Sequence, residues 1–169
     1  MDDDDDGVLD GVDSCPVGET GWSSNGSTDF DGDGCRDATE DTDDDNDGTP
    51  DGSDCAPLDG AYSVPPGDVT GLRVERATGS DVELFWDVEP SATLYDVAGG
   101  LIQELPAAGG VVDAACLADD QAGTSWLDTR GNPPSADGHY YILRALHACS
   151  GGYGPGENGT ERVPASACP

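Results

Sequence analysis

The chain has 169 residues and a formal charge of -30, from 36 Asp plus Glu against six arginines and no lysine. That length fits one domain with an appendage or two small units. Such a charge repels nucleic acid and anionic membrane surfaces, so neither is expected as a partner, and divalent cations are the natural counter-ions.

The charge is concentrated at the start. Residues 1–55 hold 20 acids and one base, a net of -19, while residues 56–169 carry a net of -11. Apolar residues are scarce in the first sixty positions: Val8, Leu9, Val12, Val17, Trp22, Phe30 and Leu58 nearly complete the set. A segment of this kind cannot bury enough surface to offset ~1–2 kcal/mol per residue of backbone ordering. Something other than a hydrophobic core must order it, or it stays disordered.

The aspartates are in register. Asp2, Asp4, Asp6, Gly7, Asp10 and Asp13 fit the pattern D-x-D-x-D-G-x-x-D-x-x-D, and Asp43, Asp45, Asp47, Gly48, Asp51 and Asp54 repeat it. A third copy, Asp29, Asp31, Asp33, Gly34 and Asp37, ends in Glu40. This is the ligand spacing of the twelve-residue EF-hand loop. A hard cation takes about 6–8 oxygens, and carboxylates at positions 1, 3 and 5 converge when the backbone coils around it. Position 6 turns sharply and favours glycine. Position 7 offers only its carbonyl, so Val8, Cys35 and Thr49 serve there, and positions 9 and 12 close the shell. The expected ligand is Ca²⁺, about three or more ions. Without metal the clustered carboxylates repel, and each loop is expected to open.

The loops lack the amphipathic helices of an EF-hand or dockerin: their flanks read Cys-Pro-Val-Gly, Ser-Thr-Asp-Phe and Thr-Glu-Asp-Thr. Loops that follow one another almost directly, with Asp13-Ser14-Cys15-Pro16 and Asp54-Cys55-Ala56-Pro57 at their ends, resemble thrombospondin type 3 repeats over residues 1–57. The resemblance implies a chain wrapped around a string of calcium ions, with disulfides stapling neighbouring loops. The insert from Val17 to Thr28 departs from the shortest repeats.

Residues 58–66, which include Val64-Pro65-Pro66, read as a linker. Beyond them the pattern turns to alternation. Leu72 and Val74 alternate with Arg73 and Glu75; Val82, Leu84, Trp86 and Val88 with Glu83, Phe85 and Asp87; Tyr141, Leu143 and Ala145 with Ile142 and Arg144. Period two with Gly and Pro punctuation predicts short antiparallel strands in a sandwich, with further strands near 93–98, 101–105, 124–129 and 160–165. The fold class is therefore mostly β, with irregular loop repeats ahead of the sandwich and almost no helix. Pro66-Gly67-x-Val69-Thr70-Gly71-Leu72-x-Val74, Trp86 and Tyr140–Ala145 resemble a fibronectin type III domain over about residues 66–169, its sandwich taken as 67–169, with Trp86 as its core tryptophan. Two features depart from that pattern: His139 at the aromatic-corner position, and a long connection over 106–123 that contains Cys116.

Six cysteines without a Cys-x-x-Cys pair indicate disulfides in an oxidising compartment. Cys15 ends the first loop and Cys35 sits in the second, so a bridge between them would close the Trp22-bearing insert, worth roughly 3 kcal/mol in the chain-entropy picture. Fifteen full pairings are possible. Cys15–Cys35, Cys149–Cys168 and, by exclusion, Cys55–Cys116 are the expected set, with a bond to another chain as the alternative for one of the last pair.

No nucleophile elbow, zinc-protease helix, P-loop or dinucleotide-binding glycine pattern is present. His147 and Cys149 could be drawn as base and nucleophile, but a disulfide cysteine beside a surface histidine is the plainer reading. Asn25-Gly26-Ser27 and Asn158-Gly159-Thr160 match the glycosylation acceptor pattern. No apolar run approaches the ~20 residues of a membrane helix. No signal peptide is visible, because Met1 runs directly into Asp2–Asp6, and the expectation is a mature fragment whose upstream sequence is missing. The expectation is a secreted, non-enzymatic structural or adhesive module whose acidic arm is stiffened by calcium, with self-association into a fibre or a surface partner as its extension. The alternative is an accessory region of a secreted hydrolase whose catalytic domain lies outside these residues.

Overall fold

A computed structural model describes residues 1–105, 110–155, 161–164, 166, 168 and 169. The chain divides into two compact units, Met1–Val64 and Pro65–Pro169.

The first unit, the acidic arm, has neither strand nor helix; it is built from turns. Its buried side chains are Asp4, Asp6, Asp29 and Cys35, whereas Leu9, Val12, Val17, Phe30 and Leu58 are exposed. Its interior is therefore polar, as the shortage of apolar residues demands. The unit continues through the segment read as a linker: Asp59 donates its N–H to the Ala56 carbonyl and Tyr62 to that of Asp59.

The second unit is a sandwich of two three-stranded antiparallel sheets. Strands β1 (Arg73–Arg76), β2 (Val82–Phe85) and β5 (Ser125–Asp128) form one sheet in the order β1-β2-β5. Strands β3 (Leu94–Leu101), β4 (Ala115–Gln121) and β6 (His139–Leu146) form the other in the order β4-β3-β6. Leu84 and Trp86 from the first sheet meet Tyr95, Val97, Ala118, Leu143 and Ala145 from the second in one buried cluster. Trp86 packs edge-on against Tyr95, with ring centroids 5.5 Å apart. Inward residues of each strand thus fill the space between the sheets, as period-two patterning requires.

Several expectations need correction. The strand near 101–105 is instead a 3-10 turn, Ile102–Glu104, held by Leu101 N–H donating to Glu104 Oε2 at 2.9 Å. The long connection over 106–123 contains β4, which the residues Ala-Cys-Leu-Ala-Asp-Asp-Gln disguise because β4 itself carries extra residues at two register shifts, pairing Tyr95 with Gln121, Val97 with Ala118 and Ala98 with Cys116, and so loses strict alternation. Around 160–165 no strand forms among the described residues; Glu161 makes an isolated bridge to Pro155, and positions 160 and 165 lie outside the description. Val88 is exposed because β2 stops at Phe85. Val74 pairs opposite Leu84, but β1 is an edge strand and stays exposed along its length.

The second sheet is covered on both faces, which is why β3 is buried at five consecutive residues. On its outer face Ala98 and Tyr140 pack with Ala114 and Tyr153. Arg144, which alternates with the core residues Leu143 and Ala145, lies on this face with its Nε 2.7 Å from Asp96 Oδ2 and its guanidinium 5.2 Å from the Tyr153 ring centroid. It also donates to the carbonyl of Cys168 at 2.8 Å.

The disulfides follow from this covering. Cys15–Cys35 forms as expected. Cys116, however, is bonded to Cys168, which excludes both Cys149–Cys168 and Cys55–Cys116. The C-terminal segment runs beside β4, where Cys116 N–H donates to the Ser166 carbonyl at 2.9 Å, and this places the two sulfurs together. Cys55 and Cys149 are disulfide-bonded as well. Cys149 is buried and carries no thiol; Cys149 N–H donates to His147 Nδ1 at 2.9 Å and His147 N–H to the Cys149 carbonyl at 3.3 Å.

Candidate cation-binding loops

The three acidic loops share one backbone conformation. Position 4 is left-handed in each, with φ of 59° at Asp5, 78° at Gly32 and 57° at Asn46. Position 6 is a glycine at φ 103°, 94° and 97° in Gly7, Gly34 and Gly48. A side chain at such φ is strained, which is the local reason for the repeated glycine.

The hydrogen bonds repeat as well. The position 6 N–H donates to the position 1 carboxylate: Gly7 to Asp2 at 3.2 Å, Gly34 to Asp29 at 3.1 Å, Gly48 to Asp43 at 3.0 Å. Position 7 donates to position 5: Val8 to Asp6 at 2.7 Å, Cys35 to Asp33 at 2.9 Å, Thr49 to Asp47 at 2.7 Å. Position 2 donates to position 9: Asp3 to Asp10, Phe30 to Asp37 and Asp44 to Asp51, each at 3.0 Å. Each loop then closes with a helical turn in which the position 12 N–H donates to the position 8 carbonyl, from Asp13 to Leu9, Glu40 to Arg36 and Asp54 to Pro50. The carbonyls of Val8, Cys35 and Thr49 accept no backbone hydrogen bond among the described residues.

At Asp2, Asp6 and Asp43 the loop amide occupies one carboxylate oxygen and the other is left without a donor, whereas both oxygens of Asp29 are hydrogen-bonded. Solvent-shielded oxygens lacking a hydrogen bond are Asp2 Oδ1, Asp4 Oδ1, Asp6 Oδ2 and Asp13 Oδ2 in the first loop. In the second they are Asp31 Oδ2 and Glu40 Oε2, and in the third Asp43 Oδ1, Asp45 Oδ2 and Asp54 Oδ2. Asp2, Asp4 and Asp6 each bring a carboxylate oxygen within 4.8 Å of the others, and so do Asp29, Asp31 and Asp33. Burial, followed by the neighbouring carboxylates of Asp6, Asp4 and Asp33, raises the pKa of Asp13 against the pull of the Cys15 amide. An oxygen that is desolvated, anionic and unpaired is costly, and a cation is what such an arrangement is suited to hold.

Position 12 distinguishes the second loop. Asp13 and Asp54 each accept from the amide two residues on, Cys15 and Ala56, at 2.7 Å. Glu40 is longer and reaches back to the Glu19 N–H, while Asp41 accepts the Asp43 N–H at 2.9 Å.

Two features escaped the sequence reading. Asp37, Asp41 and Asp44 gather with carboxylate oxygens within 4.8 Å of one another, and there burial, then Asp51, Asp37 and Asp41, push Asp44 up to about 6. Only the fold brings these three together, because two of them fall outside the repeating pattern. The Val17–Thr28 insert, whose geometry the repeats left open, is bound to both flanking loops. Gly18 N–H donates to Asp4 Oδ2 at 2.9 Å, Ser24 N–H to the Asp6 carbonyl at 2.9 Å, and Ser24 Oγ to Asp29 Oδ2 at 2.5 Å. Asn25 is exposed, with its amide donating to the Ser23 carbonyl and Thr28 Oγ1 at 2.8 Å; Asn158 lies outside the described residues.

No family model matches the chain, and no curated protein does. Among solved structures it is similar to a Fn3-like protein from Clostridium thermocellum, with 23% sequence identity over 59% of this chain and 85% of that one, at a TM-score of 0.39. The assignment as a two-sheet antiparallel sandwich stands on the strand orders themselves.

Proposed function

We propose that the chain is a non-enzymatic extracellular module in which Ca²⁺ stiffens an acidic arm joined to a β-sandwich, with a structural or adhesive role. The observation that carries this reading is the set of shielded carboxylate oxygens without donors, which recur at positions 3 and 12 of all three loops and at position 1 of the first and third. Asp2, Asp4, Asp6, Asp10 and Asp13 would hold one ion with the Val8 carbonyl. Asp29, Asp31, Asp33, Asp37 and Glu40 would hold a second with that of Cys35, and Asp43, Asp45, Asp47, Asp51 and Asp54 a third with that of Thr49. Calcium suits loops that offer many oxygens in irregular array, whereas magnesium demands a near-ideal octahedron. Six cysteines, none of them free, support an oxidising compartment. With three ions bound the charge moves from -30 to about -24, which lowers repulsion between neighbouring copies and supports self-association into a fibre or matrix. Equilibrium dialysis of the full chain against about 1 mM calcium tests the reading. Three or more ions per chain are expected, and a chain that takes up none overturns it.

A further inference from the structure

We propose that residues Val17–Thr28 form a clasp that couples cation binding at the first acidic loop to cation binding at the second. The proposal rests on the calcium reading above and adds to it which loops act together and through which residues.

Asp4 and Asp6 are 3% and 2% exposed, and Asp4 Oδ1 and Asp6 Oδ2 have no hydrogen-bond donor. An ion in the first loop would take up these free oxygens. The insert holds one further polar atom of each of these residues, Asp4 Oδ2 by Gly18 N–H and the Asp6 carbonyl by Ser24 N–H. Fixing Asp4 and Asp6 therefore fixes Gly18 and Ser24. Ser24 passes the constraint on, since its hydroxyl donates to Asp29, position 1 of the second loop, at 2.5 Å.

A second strand of contacts runs through Glu19. Its N–H donates to Glu40, position 12 of the second loop. Its carboxylate accepts from Thr39 Oγ1 at 2.6 Å and pairs with Arg36 at 3.0 Å, both on the closing turn of that loop. The two loops also touch directly: Ser14 N–H donates to the Asp33 carbonyl at 2.8 Å, and a Cβ on Gly34 would overlap the Asp13 carboxylate. The Cys15–Cys35 bond closes the circuit. A Cβ on Gly7 or Gly48, by contrast, would meet nothing within 4 Å. Ordering of the insert is thus completed by the first ion, and the second ion finds Asp29 and Glu40 already placed, which is positive coupling between two sites.

The test is a calcium titration of the full chain followed by amide NMR, with the Gly7, Gly34 and Gly48 amides reporting on the three loops separately. In the unaltered chain Gly7 and Gly34 should share one midpoint and a transition steeper than single-site binding. In the double variant Glu19→Ala with Ser24→Ala, which alters no expected ligand, the Gly7 and Gly34 midpoints should separate by about 5-fold or more, with Gly48 moving least. Should the double variant lose both responses, Ser24→Ala alone decides, since it deletes a single hydroxyl: a separation supports the clasp, and unchanged midpoints overturn it. Independent midpoints in the unaltered chain also overturn the clasp while leaving calcium binding intact. Silence of all three glycines up to about 10 mM calcium overturns the calcium reading itself.

Discussion

In the sandwich, Asp96 and Asp128 are 0% and 2% exposed, as deeply buried as Asp4, Asp6 and Asp29 in the arm. Each sandwich carboxylate has an arginine of its own. Arg144 sits 2.7 Å from Asp96, and Arg130 grips Asp128 through Nε and Nη2 at 2.8–3.0 Å, with the Tyr141 hydroxyl donating at 2.7 Å. The arm buries carboxylates beside other carboxylates, and its one arginine, Arg36, is paired with Glu19. Burying an ion is tolerable when a counter-charge comes with it. The sandwich carries its counter-charges in the sequence; under the proposed function the arm would take them from solution. That difference decides which unit a change in the medium can unmake.

The widest separation should come from chelation. Removing calcium from the full chain should open residues 1–64, because shielded like charges are left unpaired, while the near-ultraviolet signal of Trp86 in the sandwich stays unchanged. Circular dichroism together with amide exchange would register both. An arm equally protected with and without chelator would break the comparison.

Next in size is the loss of an internal counter-ion. Asp96→Ala leaves Arg144 on a covered face without its partner, and should lower sandwich stability by about 3–5 kcal/mol in chemical denaturation followed by tryptophan fluorescence. A change below about 1 kcal/mol would mean that the C-terminal carbonyls and Tyr153 suffice for Arg144.

Acidity should act on the units with opposite sign. Burial works against ionisation of Asp128, but the hydrogen bonds from Arg130 and Tyr141 outweigh it and hold the group at about 2 against an ordinary 3.8. A folded value below the unfolded one adds stability that is present above pH 3.8 and lost as pH falls towards 2, on the order of 2 kcal/mol. Asp44 is displaced the other way, to about 6, by burial and then by Asp51, Asp37 and Asp41. Its folded form binds the proton more tightly, so the compact calcium-free arm is favoured below pH 3.8 and loses that contribution as pH rises through about 6. Between those limits, amide exchange in calcium-free solution should show arm protection falling with rising pH and sandwich protection flat. Parallel slopes would refute the assignment of the two groups.

Much of the arm was legible because its determinants are local. The glycine at every sixth loop position and the aspartates at odd ones fix turns and amide–carboxylate bonds spanning at most seven residues, and Gly7, Gly34 and Gly48 fall where the spacing put them. Leu84, Leu143 and Ala145 were equally readable, since alternation in a strand sorts side chains between faces without reference to anything distant. Alternation is lost at β4, and it could not show that the outer face bearing Arg144 is covered. Whether the second face of a sheet meets water depends on what crosses it, and here Tyr153 and the C-terminal segment do.

The sequence by itself determined the register of the acidic loops, the polar interior of the arm and the core-facing side of β2 and β6, because each is set by spacing along a few residues. Only the tertiary structure decided that Cys116 joins Cys168, that Asp96 meets Arg144 across neighbouring strands 48 residues apart, and that the insert binds both flanking loops. Those choices depend on which distant segments lie side by side, and no local periodicity encodes that.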